Sequence, residues 1–239
     1  MSYLKSSVVI TGASQGIGRS IAITFASSTQ RPLLLMARNE EKLEETKFLC
    51  EKAGATDVFV VPCDLTDLES VQTFQLPDGL PKPGIIINNA GSYLYKSLSE
   101  TTDDEFRQQI DLNLFTAVNL VRRFLPELKT LNRALIINIC SVGALMGLPE
   151  SGAYSSAKHA LLGYTRSLRD ELKDTDIGVT AVNLGQTHSP SWSESDMSPD
   201  RLINPSDVAS VLVTLSQLTE RTLVEEITIQ PQHGRVSPM

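Results

Sequence analysis

A tyrosine and a lysine four residues apart, Tyr154 and Lys158 in "YSSAK", stand near the start of a helical pattern. That spacing puts both side chains on one face, one turn apart. A phenol with a reference pKa of about 10 is a weak acid and base at neutral pH, but a nearby ammonium favours its phenolate. Such a pair could move a proton to or from an oxygen. Ser141, closing an apolar run, could donate a hydrogen bond to that same oxygen. A second candidate is "TGASQGIG" at 11–18, whose Gly12, Gly16 and Gly18 lie between an apolar run and a helical pattern. Glycines there permit a tight turn and let backbone approach a pyrophosphate, while helix N-terminal N–H groups offer it donors. A Tyr–Lys pair on a helix is commonplace by itself, so its chemistry depends on what surrounds it.

Those residues need elements to hold them. Apolar, β-rich runs occur at 7–11, 33–37, 57–62, 85–88, 134–139, 179–184 and 225–230. They are near-continuous rather than alternating, as strands of a parallel sheet covered on both faces must be. Helical patterns fill 16–28, 39–53, 67–74, 102–129, 152–173 and 205–216. This rhythm predicts an α/β fold: one doubly wound Rossmann-type domain over 1–239, with a seven-stranded parallel sheet and helices on both faces. Ser141 then lies at the carboxyl end of the fifth strand, the edge where open parallel sheets bind ligands. Within 152–173, Ala157, Leu161, Tyr164, Leu168 and Leu172 supply a core stripe and leave the Tyr–Lys pair free to face elsewhere. Two connections break the rhythm. "LPDGLPKPG" cuts short the helix after the third strand, and 186–204, rich in Ser and Pro, is long enough to be a substrate loop. Trp192, the only tryptophan, falls in that loop, either as a flat wall for a substrate or as an anchor on the core.

The end of the second strand bears on which dinucleotide fits. About 20 residues past such a glycine loop, an acid bonds the ribose 2′-hydroxyl of NAD, whereas an arginine suits the 2′-phosphate of NADP. Here the residue is Arg38, with no acid until Glu40. A guanidinium holds a phosphate through two parallel charged bonds, so NADP(H) is preferred over NAD(H). Were Arg38 only a solvated strand end, Ser14 or Gln15 would carry the selectivity. A net charge of −7, with no basic cluster beyond Arg122 and Arg123, argues against nucleic acid as a partner. No run is long enough to cross a bilayer, and too little sequence precedes the first strand for a secretory leader, so a cytoplasmic protein is expected. Cys50, Cys63 and Cys140 lack metal-ligand spacing and read as reduced and buried; the histidines at 159, 188 and 233 are scattered, so no metal is expected.

Taken together, these residues resemble the short-chain dehydrogenase/reductase family over essentially the whole chain. The resemblance rests on "TGASQGIG" in the TGxxxGxG form, "CDLTD" after the third strand, "NNAG" at 88–91, Asn113 within "DLNLF", Ser141, and "YSSAK" as YxxxK. It implies hydride exchange between a nicotinamide dinucleotide and a small carbonyl compound or its alcohol. Tyr154 would be the acid/base, Lys158 would lower its pKa and hold the nicotinamide ribose, Ser141 would polarise the carbonyl, and Asn113 would support a proton-relay water. Gly12, Ser14, Gln15, Gly16, Ile17 and Gly18 would border the pyrophosphate, Asp64 and Leu65 the adenine, Asn89, Ala90 and Gly91 the adenosine ribose, and Thr187 the nicotinamide amide. A homodimer or homotetramer through 102–129 and 152–173 is implied as well.

The chain departs from the family pattern in places. Leu184-Gly185 stands for the usual Pro-Gly, and Ser189 for threonine. The tail "EEITIQPQHGRVSPM" lacks the paired-glycine ending of ketoacyl reductases of fatty-acid synthesis, while "SPSW" and "VEEITIQP" are similar to bacterial sepiapterin-reductase-like and broad-range carbonyl-reducing members. The reading is therefore a carbonyl reductase or alcohol dehydrogenase. Its alternatives are a 3-ketoacyl thioester reductase and a non-catalytic NADP-binding regulator, a class that typically loses the tyrosine or lysine. A serine hydrolase fails, because no G-x-S-x-G elbow surrounds Ser141.

Overall fold

Each apolar run becomes a strand: β1 (Ser7–Thr11), β2 (Leu33–Ala37), β3 (Val58–Pro62), β4 (Pro83–Asn88), β5 (Ala134–Ser141), β6 (Ile177–Leu184) and β7 (Glu226–Ile229). The computed structural model describes residues 5–193 and 195–236; the ends of the unit expected over 1–239, and position 194 of the 186–204 loop, lie outside these. All seven strands pair in parallel in the order β3-β2-β1-β4-β5-β6-β7. Between them run α1 (Gly16–Ser28), α2 (Glu40–Lys52), α3 (Leu68–Thr73), α4 (Asp103–Ile110), α5 (Thr116–Leu128), α6 (Gly152–Leu172) and α7 (Pro205–Gln217).

Because successive strand residues face opposite ways, each strand serves two cores. Val8 and Ile10 of β1 join Phe25 of α1, Leu43 of α2 and Leu212 of α7 on one face. Val9, between them, joins Phe124 of α5 and Leu172 of α6 on the other. Fully burying one such side chain stabilises the fold by about 1.5–3 kcal/mol, which is why the strands must be apolar throughout. Sheet order reverses between β1 and β4, and the crevice at the carboxyl ends of such strands is where this architecture binds ligands.

The structure departs from the sequence reading at one helix. The segment expected as a continuous helix over 102–129 is interrupted by a π-helical turn, Asp111–Phe115, that separates α4 from α5. Asn113 sits in this turn, and its Nδ2 donates both to the Gln109 carbonyl within the helix and to the Ser92 carbonyl outside it, each at 3.0 Å. The extra residue in the turn accompanies a tertiary bond, so nothing in the local pattern announces it. The two irregular connections are as expected: α3 has six residues and gives way to the proline-rich loop, and the described residues of 186–204 form short 3₁₀ turns at Pro190–Trp192 and Pro199–Arg201 and an isolated bridge between Thr187 and Ile203.

A buried polar chain then sets α6 against the sheet. Asn88 Nδ2 donates to Asn138 Oδ1 (2.7 Å), Asn138 Nδ2 to Thr165 Oγ1 (2.8 Å), and Thr165 Oγ1 to the Leu161 carbonyl (2.7 Å). It links β4, β5 and the helix that carries Tyr154 and Lys158. Asn138→Ala should lower the unfolding free energy by about 1–3 kcal/mol in a urea titration, because it strands a buried amide. The exposed Asn132→Ala should change it by less than about 0.5 kcal/mol.

Candidate active site

The crevice begins at the glycine loop. Gly12 has φ +64, a conformation side chains rarely adopt, and a Cβ there would lie 2.9 Å from Asn89 Nδ2 and 3.1 Å from Ala90 Cα. A Cβ on Gly18 would collide with the Gly12 carbonyl, so helix and strand meet backbone to backbone. Thr11 fastens the neighbouring strand end: its Oγ1 accepts from the Asn89 and Ala90 amides, both at 2.9 Å, and its carbonyl accepts from Asn89 Nδ2. On the other side Arg19 donates to the Ser14 carbonyl (2.6 Å), to Thr46 Oγ1 (2.9 Å) and to Glu45 Oε2 (2.9 Å), tying the loop to α2.

The opening of α1 fits an anion. Its N-cap, Gln15, makes no side-chain capping bond and its first turn holds no acid, so the amide donors and the positive end of the helix dipole stay available. Ser14, Gln15, Gly16, Ile17, Asp64, Leu65, Asn89, Ala90 and Gly91 all line the same groove, with Asp64 its only carboxylate among the described residues. Asp64 Oδ1 accepts from the Thr66 amide and hydroxyl at 3.0 and 2.7 Å, and the Leu65 carbonyl accepts from Asn119 Nδ2. At the far end lie Arg38 and a second cation the sequence reading did not single out, Lys42, whose Nζ donates to Gln15 Oε1 at 3.2 Å. The four-residue step from Arg38 into α2 was its available signal. These features fit a dinucleotide.

The groove opens into a cavity of about 220 Å³ that holds Tyr154, Ser141, Lys158, Asn113 and Thr187. Ser141 ends β5 and caps the following 3₁₀ turn, accepting the Gly143 amide at 3.0 Å, and its hydroxyl is near enough to the Tyr154 phenol to favour the phenolate. Burial pushes the Tyr154 phenol up to about 12, a rise that Ser141 only partly offsets. Lys158, 5% exposed, is pulled down to about 8 by the same desolvation. Its Nζ donates to the Ile139 carbonyl at 3.0 Å and lies 5.8 Å from the Tyr154 ring centroid. The expected lowering of the phenol by the ammonium is thus absent from this arrangement: burial dominates both groups, and a carbonyl holds the lysine.

Asn113 comes to this cavity through Gly91, where a Cβ would stand 2.6 Å from Asn113 Oδ1 and 3.6 Å from Lys158 Nζ. Its amide is occupied with Ser92 and Gln109. Thr187 is buried, donating to the Gly185 carbonyl at 3.0 Å. The missing proline before Gly185 is replaced as a restraint by the sheet itself, since the Gly185 amide continues the ladder to the Ile229 carbonyl (2.8 Å). Trp192 lines the cavity, and Pro190 packs over the glycine loop, its Cδ 2.9 Å from where a Gly16 Cβ would be. Tyr93, within the 92–97 segment that the sequence places beside the pocket but not singled out there, meets the Tyr154 ring edge-on with centroids 4.9 Å apart and bonds Ser151 Oγ at 2.6 Å. Its position two residues past "NNAG" was the hint. The three cysteines are free and buried, no metal-ligand cluster occurs among the described residues, and no helix among them is long and apolar enough to cross a membrane.

Comparison with known proteins agrees with this geometry. A family model described as short chain dehydrogenase matches residues 6–199. The chain is 34% identical over 186 residues to a fatty acyl-CoA reductase of Acinetobacter baylyi, a match covering 76% of this chain and 62% of that relative, less than two thirds of its length. It is 28% identical to a sepiapterin reductase of Chlorobaculum tepidum, over 98% of this chain and 99% of that one. An alcohol dehydrogenase of the archaeon Thermococcus sibiricus, solved with 5-hydroxy-NADP, superposes with a TM-score of 0.89 at 26% identity, covering 98% of this chain and 100% of its own. The chain therefore belongs to the short-chain dehydrogenase/reductase family of oxidoreductases.

The depressed lysine has a thermodynamic signature. With a pKa of about 8 folded against 10.5 unfolded, Lys158 is neutral in the native state and protonated in the unfolded chain between those values. Its contribution to stability is lowest below pH 8 and rises through that window. In cofactor-free protein, the Tm of the wild type relative to Lys158→Met should climb between pH 8 and pH 10.5. A pH-independent difference would contradict the depressed pKa.

Proposed function

We propose that the protein is an NADP(H)-dependent carbonyl reductase or alcohol dehydrogenase acting on a small organic substrate. The observation that carries this is continuity: Ile17, Asn89 and Gly91 border both the glycine-loop groove and the cavity holding Tyr154, Ser141 and Lys158. Gly12 and the residues from Ser14 to Gly18 would hold the pyrophosphate, Asp64 and Leu65 the adenine, Asn89 to Gly91 the adenosine ribose, and Thr187 the nicotinamide amide. Arg38 and Lys42 would take the 2′-phosphate, the basis for preferring NADP(H) over NAD(H). The 5-hydroxy-NADP in the archaeal alcohol dehydrogenase supports the same cofactor class.

When bound, the cofactor supplies hydride to the carbonyl carbon, or accepts it in the reverse direction. The proton is this chain's own work. Tyr154, its phenol pushed up by desolvation, keeps its proton at neutral pH and so is in the acid form that reduction requires. Its hydroxyl donates that proton to the carbonyl oxygen as charge develops there. Ser141 donates a hydrogen bond to the same oxygen, in a site where a fixed donor is worth more than water would be. Protonated Lys158 steadies the phenolate left behind, and Asn113, gripping Ser92, supports the relay that returns a proton. Assembly as a homodimer or homotetramer through α4, α5 and α6 belongs to the same proposal, and light scattering tests it. The name of the Acinetobacter relative makes acyl-CoA thioesters the second substrate class to assay.

Tyr154→Phe should lower kcat/KM for carbonyl reduction by about 10²–10⁴-fold while NADPH still binds. Retained turnover would overturn the assignment. Arg38→Asp should weaken NADPH binding by about 10–100-fold, the worth of a charge-assisted bond, and shift preference towards NADH in paired assays. An unchanged preference would move the selectivity to Lys42, Ser14 or Gln15.

A further inference from the structure

After β7 the chain does not simply leave the sheet. It turns at 231–234, closed by the Gly234 amide donating to the Pro231 carbonyl at 3.0 Å, and comes back to the carboxyl edge. There the side chain of Gln186 grips it from both sides. Gln186 Oε1 accepts the Val236 amide at 2.8 Å, and Gln186 Nε2 donates to the Val236 carbonyl at 3.0 Å. Val236 is 5% exposed, so this point of the tail is anchored by burial as well as by hydrogen bonds. Gln186 itself is fixed, standing between Gly185 of the β6–β7 ladder and the buried Thr187, with its carbonyl accepting the Ile203 amide at 2.9 Å.

The residue held between the turn and this grip is Arg235, and it lines the cavity of Tyr154 and Ser141. Among the described residues, Arg235 and Lys158 are the only charged side chains of that cavity, which holds no Asp or Glu. This is notable in a chain whose net charge is −7. Lys158 is buried and committed to the Ile139 carbonyl. Arg235 forms no ion pair with any described carboxylate. An unpaired guanidinium in an acid-free wall is complementary to an anion that can accept two parallel hydrogen bonds, and on a small organic substrate the carboxylate is such a group.

Resting on the function proposed above, we propose that Arg235 is a specificity-determining residue that binds the carboxylate of the substrate, so that the enzyme interconverts small oxo acids and hydroxy acids. The size agrees. About 220 Å³, shared with the nicotinamide, lies below the roughly 300–1,000 Å³ of pockets for drug-sized ligands. Arg235 is exposed and lines the cavity, so the carboxylate meets it at the mouth while the carbonyl reaches inward to the phenol.

The test pairs short oxo acids with their methyl esters at saturating NADPH, in the wild type, Arg235→Gln and Arg235→Lys. Binding without turnover is read from quenching of Trp192, the only tryptophan and itself in the cavity wall, on adding a hydroxy acid to the NADPH complex. The wild type should favour acid over ester by about tenfold or more in kcat/KM, and Arg235→Gln should remove that preference through KM, with kcat and ester turnover little changed. Arg235→Lys should restore part of it. Equal use of acid and ester by the wild type, or an equal loss for both substrates in Arg235→Gln, would overturn the proposal while leaving the cofactor reading intact. Failure of the wild type to bind NADPH, measured first in the same fluorescence titration, would instead overturn the reading beneath it.

Discussion

The close approach of α1 to β1 governs the rest of this molecule. A helix following a strand in a doubly wound sheet aims its N-terminal amides at whatever lies beyond the strand's end, but only if strand and helix can touch without side chains between them. Gly12 and Gly18 supply that contact, and Asn89 and Ala90 pack onto it from β4. The reversal of strand order at this point turns the contact into a crevice with two walls. Thr11 and Arg19 then hold the walls from opposite sides, one through backbone amides and the other through a carbonyl of the loop itself. Everything that could recognise a dinucleotide is arranged around a gap set by missing β-carbons.

The neighbouring chemistry is shaped more by burial than by charge pairing. Tyr154 and Lys158 share a helix face, yet desolvation moves them in the directions that leave both less charged. The phenol consequently holds its proton at neutral pH, and the lysine ammonium donates to the Ile139 carbonyl. Position on α6 is the other half of the arrangement. The Asn88–Asn138–Thr165 chain fixes that helix against the two strands whose ends bear Asn89 and Ser141, so acid, donor and groove are set by one buried network.

Much of this was legible in the sequence because it is periodic or punctuated. Seven apolar runs gave seven strands, with boundaries off by a few residues where β5 extends to Ser141 and β6 starts at Ile177. The glycine spacing and the Tyr–Lys step are local signals, and both lie where a local reading puts them. What escaped was made by tertiary contact. The π turn at Asn113 accompanies a bond to Ser92, Lys42 reaches the groove from the first turn of α2 to bond Gln15, and the Lys158 ammonium is held by a carbonyl nineteen positions away in the chain. Arg235 is the extreme case, since its place depends on the grip of Gln186 on the next residue, Val236, fifty positions later in the chain.

The packing of Pro190 on the glycine loop carries an implication for traffic through the molecule. Ser189 and Ser191 border both the dinucleotide groove and the catalytic cavity, and Pro190 between them rests on Gly16. One strap therefore roofs two compartments. A displacement of this strap would open the groove and the cavity together, because the same two serines wall both.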